Sequence, residues 1–325
     1  MQYILIDMFR FGLPYAILAL GIFISYRVLD MADLSCEGTF TLGGALSSVL
    51  LVLGVNPFLA TLLGMVAGLL AGIITGLIHT KLKITALLSG IITMTGLFSI
   101  NMVIMGLAPS SILLKDGEVV LKYSTSGYSA NVYLNGLNVN GSSIKTIYDS
   151  FLAFFSKNNY NMIFISLLIV LAVALLVYWF FGTEIGMGIR ATGINPNMSR
   201  AQGINTNAMI ILGLGLANAL ISLSGSLFAQ TQGNANNQMG VGVLVIGLAS
   251  IIIGEGVFGK RTFKNWMISV LLGAILYYLI IVIAIQLGLP SHYQKLLYAL
   301  LILIVLAVPR LRKLVLKGGK KHANA

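Results

Sequence analysis

Apolar residues run in long blocks along this chain, and short polar connectors divide them. A helix needs about 20 apolar residues at 1.5 Å rise each to cross a bilayer. Blocks of that kind fall at about 11–28, 38–54, 57–78, 85–107, 162–181, 209–229, 241–257, 266–287 and 293–309, with the seventh and ninth short. Backbone groups in lipid must be paired within the segment, so each block predicts a helix and not a strand. Stretches such as LLGMVAGLLAGIITGL (62–77) carry small residues at close intervals, which suits tight contact between helices.

Two blocks open on polar, glycine-bearing text: LDMADLSCEGTFTLGGA (29–45) and AQTQGNANNQMGVGV (229–243). The helix count puts them on opposite faces of the membrane, one in each half of the chain. Two readings stay open for them. They are either plain loops or the discontinuous helices of an inverted repeat, which line a transport path. A third polar stretch, GMGIRATGINPNMSRAQGIN (186–205), sits between two apolar blocks and is punctuated like structure. Met187–Thr192 reads as a short helix that Gly193 can end. Asn195 then caps a second helix of about seven residues, with Pro196 at its first position and Gly203 just past its end. Helices this short are marginal in water, so the element needs something to pack against, and Met198 with the stems of Arg190 and Arg200 offers a face.

Composition supports the membrane reading. Residues are 58% hydrophobic and 9% charged, far below the roughly 25% charged of a soluble domain, and mean hydropathy is +0.95. The fold class expected is an all-α polytopic membrane protein of about nine (8–10) transmembrane helices, in a single domain over 1–325. The net charge of +11 does not point to nucleic acid, because Lys and Arg sit in connectors and in the tail VPRLRKLVLKGGKKHANA. That is the pattern of cytoplasmic flanks. Six of the 20 Lys and Arg follow from Arg310 onward, which places the C-terminus (310–325) inside. Lys260, Arg261, Lys264, Arg190, Arg200, Lys81 and Lys83 then fall inside too, with 182–208 cytoplasmic. Residues 288–292, 230–240 and 108–161 fall outside, the last as an ordered external loop or small cap. Nine spans put residue 1 outside, unless residues 1–10 form an interfacial helix. The first block lacks the basic flank and cleavage site of a signal peptide.

Chemistry is sparse. The single Cys36 forms no disulfide within the chain and no multi-cysteine metal site, and His79, His292 and His322 lie far apart. No metal or cofactor is expected on this chain. GEGVFGKRT (254–262) nearly matches a phosphate-binding loop, but Arg261 stands where a magnesium-binding hydroxyl is needed, and the stretch follows a span, not a strand. No catalytic constellation is present, so the chain reads as a transport subunit and not an enzyme. Ionisable residues at membrane depth are functional suspects. Asp33 and Glu37, spaced i, i+4 around Ser35, are the clearest pair, with helix capping the plain alternative for Asp33. Asn234, Asn236, Asn237 and Gln238 form an amide cluster, and Ser89, Thr93, Ser99, Asn101 and Asn218 lie within other spans. A path lined by amides and hydroxyls suits a small polar or zwitterionic solute.

EIGMGIRATGINPNMSRAQGIN resembles the cytoplasmic coupling segment of the ATP-binding cassette importer permeases that serve branched-chain amino acids, ribose-like sugars and nucleosides. DLSCEGTFTLGGA is similar to the second-helix signature of the same family, and the likeness covers about residues 10–312. The resemblance implies a permease in a bacterial plasma membrane that pairs with a second permease subunit, as a homodimer. It implies two cytoplasmic ATPases that carry ATP and Mg, and an extracytoplasmic substrate-binding lipoprotein. Carried onto this chain, coupling falls on Gly188, Arg190, Ala191, Gly193, Asn195, Pro196, Arg200 and Gly203. The substrate path falls on Asp33, Ser35, Glu37, Asn101, Asn218, Asn234, Asn237 and Gln238. The likeness is closest to permeases for aromatic amino acids or nucleosides. The alternatives are an ion-coupled secondary transporter and an importer of a larger hydrophobic solute such as haem.

Overall fold

The structure is a computed structural model that describes residues 2–106, 124–126, 129–134, 136–152 and 159–286. The expected ninth span at 293–309, the basic tail, His292 and His322 lie outside the described residues.

Eleven helices and three short strands make up the described residues. Helix α1 (Gln2–Phe23) continues through a π-helical turn (Ile24–Val28), followed by α2 (Ser35–Val52), α3 (Pro57–Leu82) and α4 (Ala86–Gly106). Strands β1 (Ser124–Ser126) and β2 (Ser129–Tyr133) and helices α5 (Ile147–Leu152) and α6 (Asn159–Phe180) come next. The second half holds α7 (Glu184–Ile194), α8 (Pro196–Ala201), α9 (Thr206–Gln232), β3 (Asn234–Asn236), α10 (Val243–Phe258) and α11 (Phe263–Gln286). Among the described residues seven helices are long and apolar enough to cross a bilayer, and α10 is a shorter apolar helix. The chain is an all-α polytopic membrane protein. Residues 2–10 belong to α1, so the separate interfacial helix considered for the N-terminus does not form.

Helix α9 is the axis of the bundle. Along α3, Gly64, Gly68, Gly72 and Gly76 recur every fourth residue and meet Ser226, Ser222, Leu214 and Ile211 of α9 in turn. The two helices therefore run antiparallel with their backbones close, the contact that small residues permit. Ser222 Oγ donates to the Gly64 carbonyl at 2.6 Å, and Ser226 Oγ donates to that of Gly43 at 2.9 Å. Outward faces of α3 and α6 carry exposed leucines such as Leu70, Leu171, Leu175 and Leu176. Such faces are at home in lipid, whose tails are as apolar as they are.

At one end of the bundle, three antiparallel strands pair in the order β1-β2-β3, with Asn131 opposite Asn236 and Tyr133 opposite Asn234. The described part of the predicted external loop is thus a small cap, and it is tied to the second polar break. Arg10 of α1 reaches this sheet end, donating to the Thr231 carbonyl at 3.0 Å. At the opposite end α7 and α8 lie against α9 and the π-helical turn of α1. Arg27, Arg190, Lys260 and Arg261 line one cleft there, and Lys81 and Lys83 end α3 on the same side.

Candidate functional site

Both polar breaks are built as discontinuous entries. After α1 ends, residues 29–34 climb back into the bundle, and α2 begins at the level of Asn218, the middle of α9. Asp33 Oδ1 accepts from the Ser35 amide at 2.8 Å, which holds the first turn of α2. Its Oδ2 accepts from Asn218 Nδ2 at 2.7 Å, and Asn218 Oδ1 accepts from Ser35 Oγ at 3.3 Å. All three residues are buried. Asp33 is thus not the N-cap of α2, which is Leu34; it stands one residue earlier, bonds the first amide of the helix and bridges to the helix opposite.

The second break mirrors the first from the other end. The chain leaves α9 through β3, then dips as 237–242 until α10 begins within the bundle. Thr41 Oγ1 accepts from the Gly240 amide at 3.1 Å and donates to the Glu37 carbonyl at 3.1 Å. Glu37 Oε1 accepts from the Gly242 amide at 3.0 Å, one residue before α10. Gly240 lies so close to the Glu37 carbonyl that no Cβ fits. Each half-helix thus starts at a carboxylate of the first break: α2 at Asp33, α10 at Glu37. Ionisable groups spaced i, i+4 at the entry of the second block end up serving two different helix starts.

Glu37, Asn101 and Asn237 line one cavity of about 230 Å³ between α2, α4 and the dipping segment, with Gly38, Thr41, Met94, Thr95, Phe98 and Val241. Asn101 Nδ2 donates to the Gly38 carbonyl at 3.0 Å. The other named path residues lie elsewhere. Asn234 is in β3 opposite Tyr133. Gln238 faces a larger crevice of about 730 Å³ beside Phe11, Tyr15 and Tyr278. Ser89 and Thr93 donate to carbonyls of their own helix, and Thr93 accepts from Thr75 at 3.0 Å. Ser99 is exposed.

The α7–α8 element differs in two respects from its sequence reading. Helix α7 spans Glu184–Ile194 and runs through Gly193, ending at Asn195, whose φ of −153° leaves the helical region. Gly193 is needed for contact and not for termination, because a Cβ there would strike the Val28 carbonyl at the end of α1. Asn195 caps α8 as expected, its Oδ1 accepting from Asn197 and Met198 at 3.1 Å each. Gly203 follows the helix with φ +82°. Gly188 is buried, with Met209 against it, and Ala191 is half-buried. Arg190 turns inward, stacking over Phe263 at 4.3 Å, so it does not belong to the exposed face. Arg200 Nε donates to Thr206 Oγ1 at 2.8 Å, bracing α8 on α9. Exposed apolar groups on this element are Ile185, Met187 and Ile194 of α7 and Met198 of α8, with Ile194 the most exposed at 84%. Pro196 is exposed at the first position of α8.

Sequence reading missed the Arg27–Glu255 ion pair at 2.7 Å and the bond from Trp266 Nε1 to Glu255 Oε1 at 2.8 Å. A carboxylate inside an apolar block was the available signal. It was masked by the resemblance of its neighbours to a phosphate loop, although Gly254–Phe258 are the last turns of α10. Thr41 and Gln230 were missed too. Gln230 is buried, accepting from the Ile147 amide at 2.8 Å and donating to Thr61 at 2.9 Å. Among the described residues no cluster of His, Cys, Asp or Glu is suited to a metal. His79 instead bonds the Ile84 carbonyl at 2.6 Å.

Comparison with known proteins matches residues 4–306 to a family model described as the permease component of branched-chain amino acid transport systems. The chain is 33% identical over 310 residues to a tyrosine transport system permease protein of Clostridioides difficile (strain R20291), covering 95% of this chain and 92% of the relative. It is 26% identical over 297 residues to an uncharacterised protein of Rickettsia prowazekii (strain Madrid E), covering 89% and 92%. No solved structure matches the chain.

Proposed function

Since the chain belongs to the family of permease components of branched-chain amino acid transport systems, we propose that it is the membrane subunit of an ATP-binding cassette importer for an aromatic amino acid such as tyrosine. The whole chain acts as a single permease domain in a bacterial plasma membrane. The α7–α8 end is cytoplasmic, together with the C-terminus, and the sheet end is extracytoplasmic. The lysines and arginines gathered at the α7–α8 end support that orientation.

The observation that carries the coupling role is α8. Six residues cannot hold a helix alone in water, yet this one is capped by Asn195 and braced through Arg200, and its exposed Met198 stands beside exposed Ile194 at the end of α7. Such a knob fits a groove on a partner ATPase, which binds ATP and Mg. Through Gly193 it rests on the end of α1, so force applied at α8 meets the bundle at Val28. A binding lipoprotein delivers solute to the sheet end, and a second copy of the permease completes the path. The tyrosine reading rests on the relative of that name.

The test is reconstitution in proteoliposomes with the ATPase and binding protein. ATP-dependent L-tyrosine uptake that disappears on deletion of 195–203 is the expected result. Uptake driven by a proton or sodium gradient without ATP would overturn the proposal.

A further inference from the structure

The cavity between α2, α4 and the 237–242 segment has a one-sided chemistry. Of its nine lining residues a single one, Glu37, is ionisable, and it is a carboxylate. Asn101 is 1% exposed, and its Oδ1 is buried with no hydrogen-bond partner. The amide orientation is fixed, because Nδ2 donates to the Gly38 carbonyl, which can only accept. A buried carbonyl left unpaired is costly, so Asn101 calls for a donor. Thr41 does not supply one, since its hydroxyl proton goes to the Glu37 carbonyl and its oxygen takes the Gly240 amide. The lining carries no Lys or Arg that would welcome an anion.

We infer that this cavity is a recognition site for the protonated amino group of the solute, with Glu37 supplying the charge and Asn101 Oδ1 an acceptor. The inference rests on the amino-acid reading above and assigns the end of the solute that enters first. An ammonium has three donors and no acceptor, which matches the Glu37 carboxylate and the Asn101 oxygen. A volume of about 230 Å³ falls below the roughly 300–1,000 Å³ of sites that enclose whole ligands. The cavity therefore takes the amine and leaves the body of the solute outside. Met94 and Phe98 line it as well, and Phe98 is 37% exposed, at the mouth, an apolar rest for an aliphatic or aromatic side chain. An aromatic face near a bound cation adds attraction. The carboxylate end of a zwitterion is kept away from Glu37 by charge. Glu37 also holds the first turn of α10 through Gly242, so the residue that reads the amine is the one that secures the second break.

The experiment uses the full-length permease in nanodiscs, carrying Phe98→Cys on a Cys36→Ser background, with N-ethylmaleimide as the probe of the mouth. Millimolar tyramine should slow labelling at least threefold. The analogue without an amine, 3-(4-hydroxyphenyl)propionate, should not. Protection should vanish in Glu37→Gln and weaken in Asn101→Leu, while Asn101→Asp retains it. Equal protection by the deaminated analogue, or protection that survives Glu37→Gln, would overturn the inference, as would equal protection by sodium chloride. Tyramine is read without ATPase or binding protein. Protection in a permease that fails to import amino acids would therefore sustain this site and sink the proposed solute. Tyrosine import without tyramine protection would do the reverse.

Discussion

The contact between Asp33 and Asn218 can be tested as a free energy. Interhelical hydrogen bonds between neutral side chains in membranes average about 0.6 kcal/mol, because unfolded helices in lipid also find partners. The Asp33–Asn218 bond should exceed that. It joins a carboxylate to an amide at 2.7 Å, Asn218 is 0% exposed and Asp33 is 3% exposed. Hydrogen bonds to charged groups contribute about 1.5–3 kcal/mol. A double-mutant cycle of Asp33→Ala and Asn218→Ala isolates the pair, provided each substitution only removes atoms. Each single variant should lose about 2–4 kcal/mol. Asp33→Ala also frees the Ser35 amide at the start of α2, and Asn218→Ala also strands Ser35 Oγ. The coupling energy should come to about 1.5 kcal/mol or more. Equilibrium unfolding in mixed micelles of increasing SDS fraction, followed by tryptophan fluorescence, measures all four proteins. A coupling energy below about 0.5 kcal/mol would refute the claim that this pair closes the first break.

Four further outcomes follow. Gly193→Val forces the Val28 carbonyl away, and ATP-driven uptake should fall at least tenfold while the permease still reaches the membrane; uptake within twofold of wild type would show the contact is dispensable. Asn195→Ala removes a cap worth about 1 kcal/mol from a six-residue helix, so affinity for the ATPase, read by titration in detergent, should weaken about fivefold and recover in Asn195→Asp. Glu255→Gln should lower the unfolding midpoint, since Arg27 loses its charge partner, by more than Trp266→Phe, which removes a single bond to the same carboxylate. Burial pushes the Tyr148 hydroxyl above its ordinary range, though the Thr231 bond pulls it back in part. A raised folded value means that the stability it confers is intact below about pH 10, where the unfolded phenol ionises, and is lost as pH climbs through the folded value. Melting between pH 9 and 11 should therefore fall more steeply in wild type than in Tyr148→Phe.

Helix positions were legible because lipid imposes one rule, about 20 apolar residues per crossing, and blocks such as 85–107 obey it. The α8 cap was legible because Asn-Pro is a local signal that acts within three residues. What local text does not carry is distance. Gly193 reads as a terminator by its residue type, and only the arrival of Val28 explains it. Asp33 and Glu37 share a segment and read as one pair, but their partners, Asn218 and Gly242, lie about two hundred residues on and were placed by the packing of α9 and α10. The amides of 234–238 read as one cluster, yet strand pairing draws Asn234 into the sheet and leaves Asn237 to the cavity. Glu255 was hidden by a motif that its neighbours happen to spell.

The separation of partners along the chain bears on how this protein is made. A ribosome adds about 5–20 residues per second. Asn131 must therefore wait on the order of 5–20 s for Asn236, its register partner in the cap. Asp33 enters the bilayer earlier still, and its amide partner is synthesised much later. Through that interval Asp33 Oδ1 has the nearby Ser35 amide, but Oδ2 waits for Asn218. A chain that stalls before residue 218 therefore keeps one oxygen of this carboxylate without the partner it has in the finished bundle.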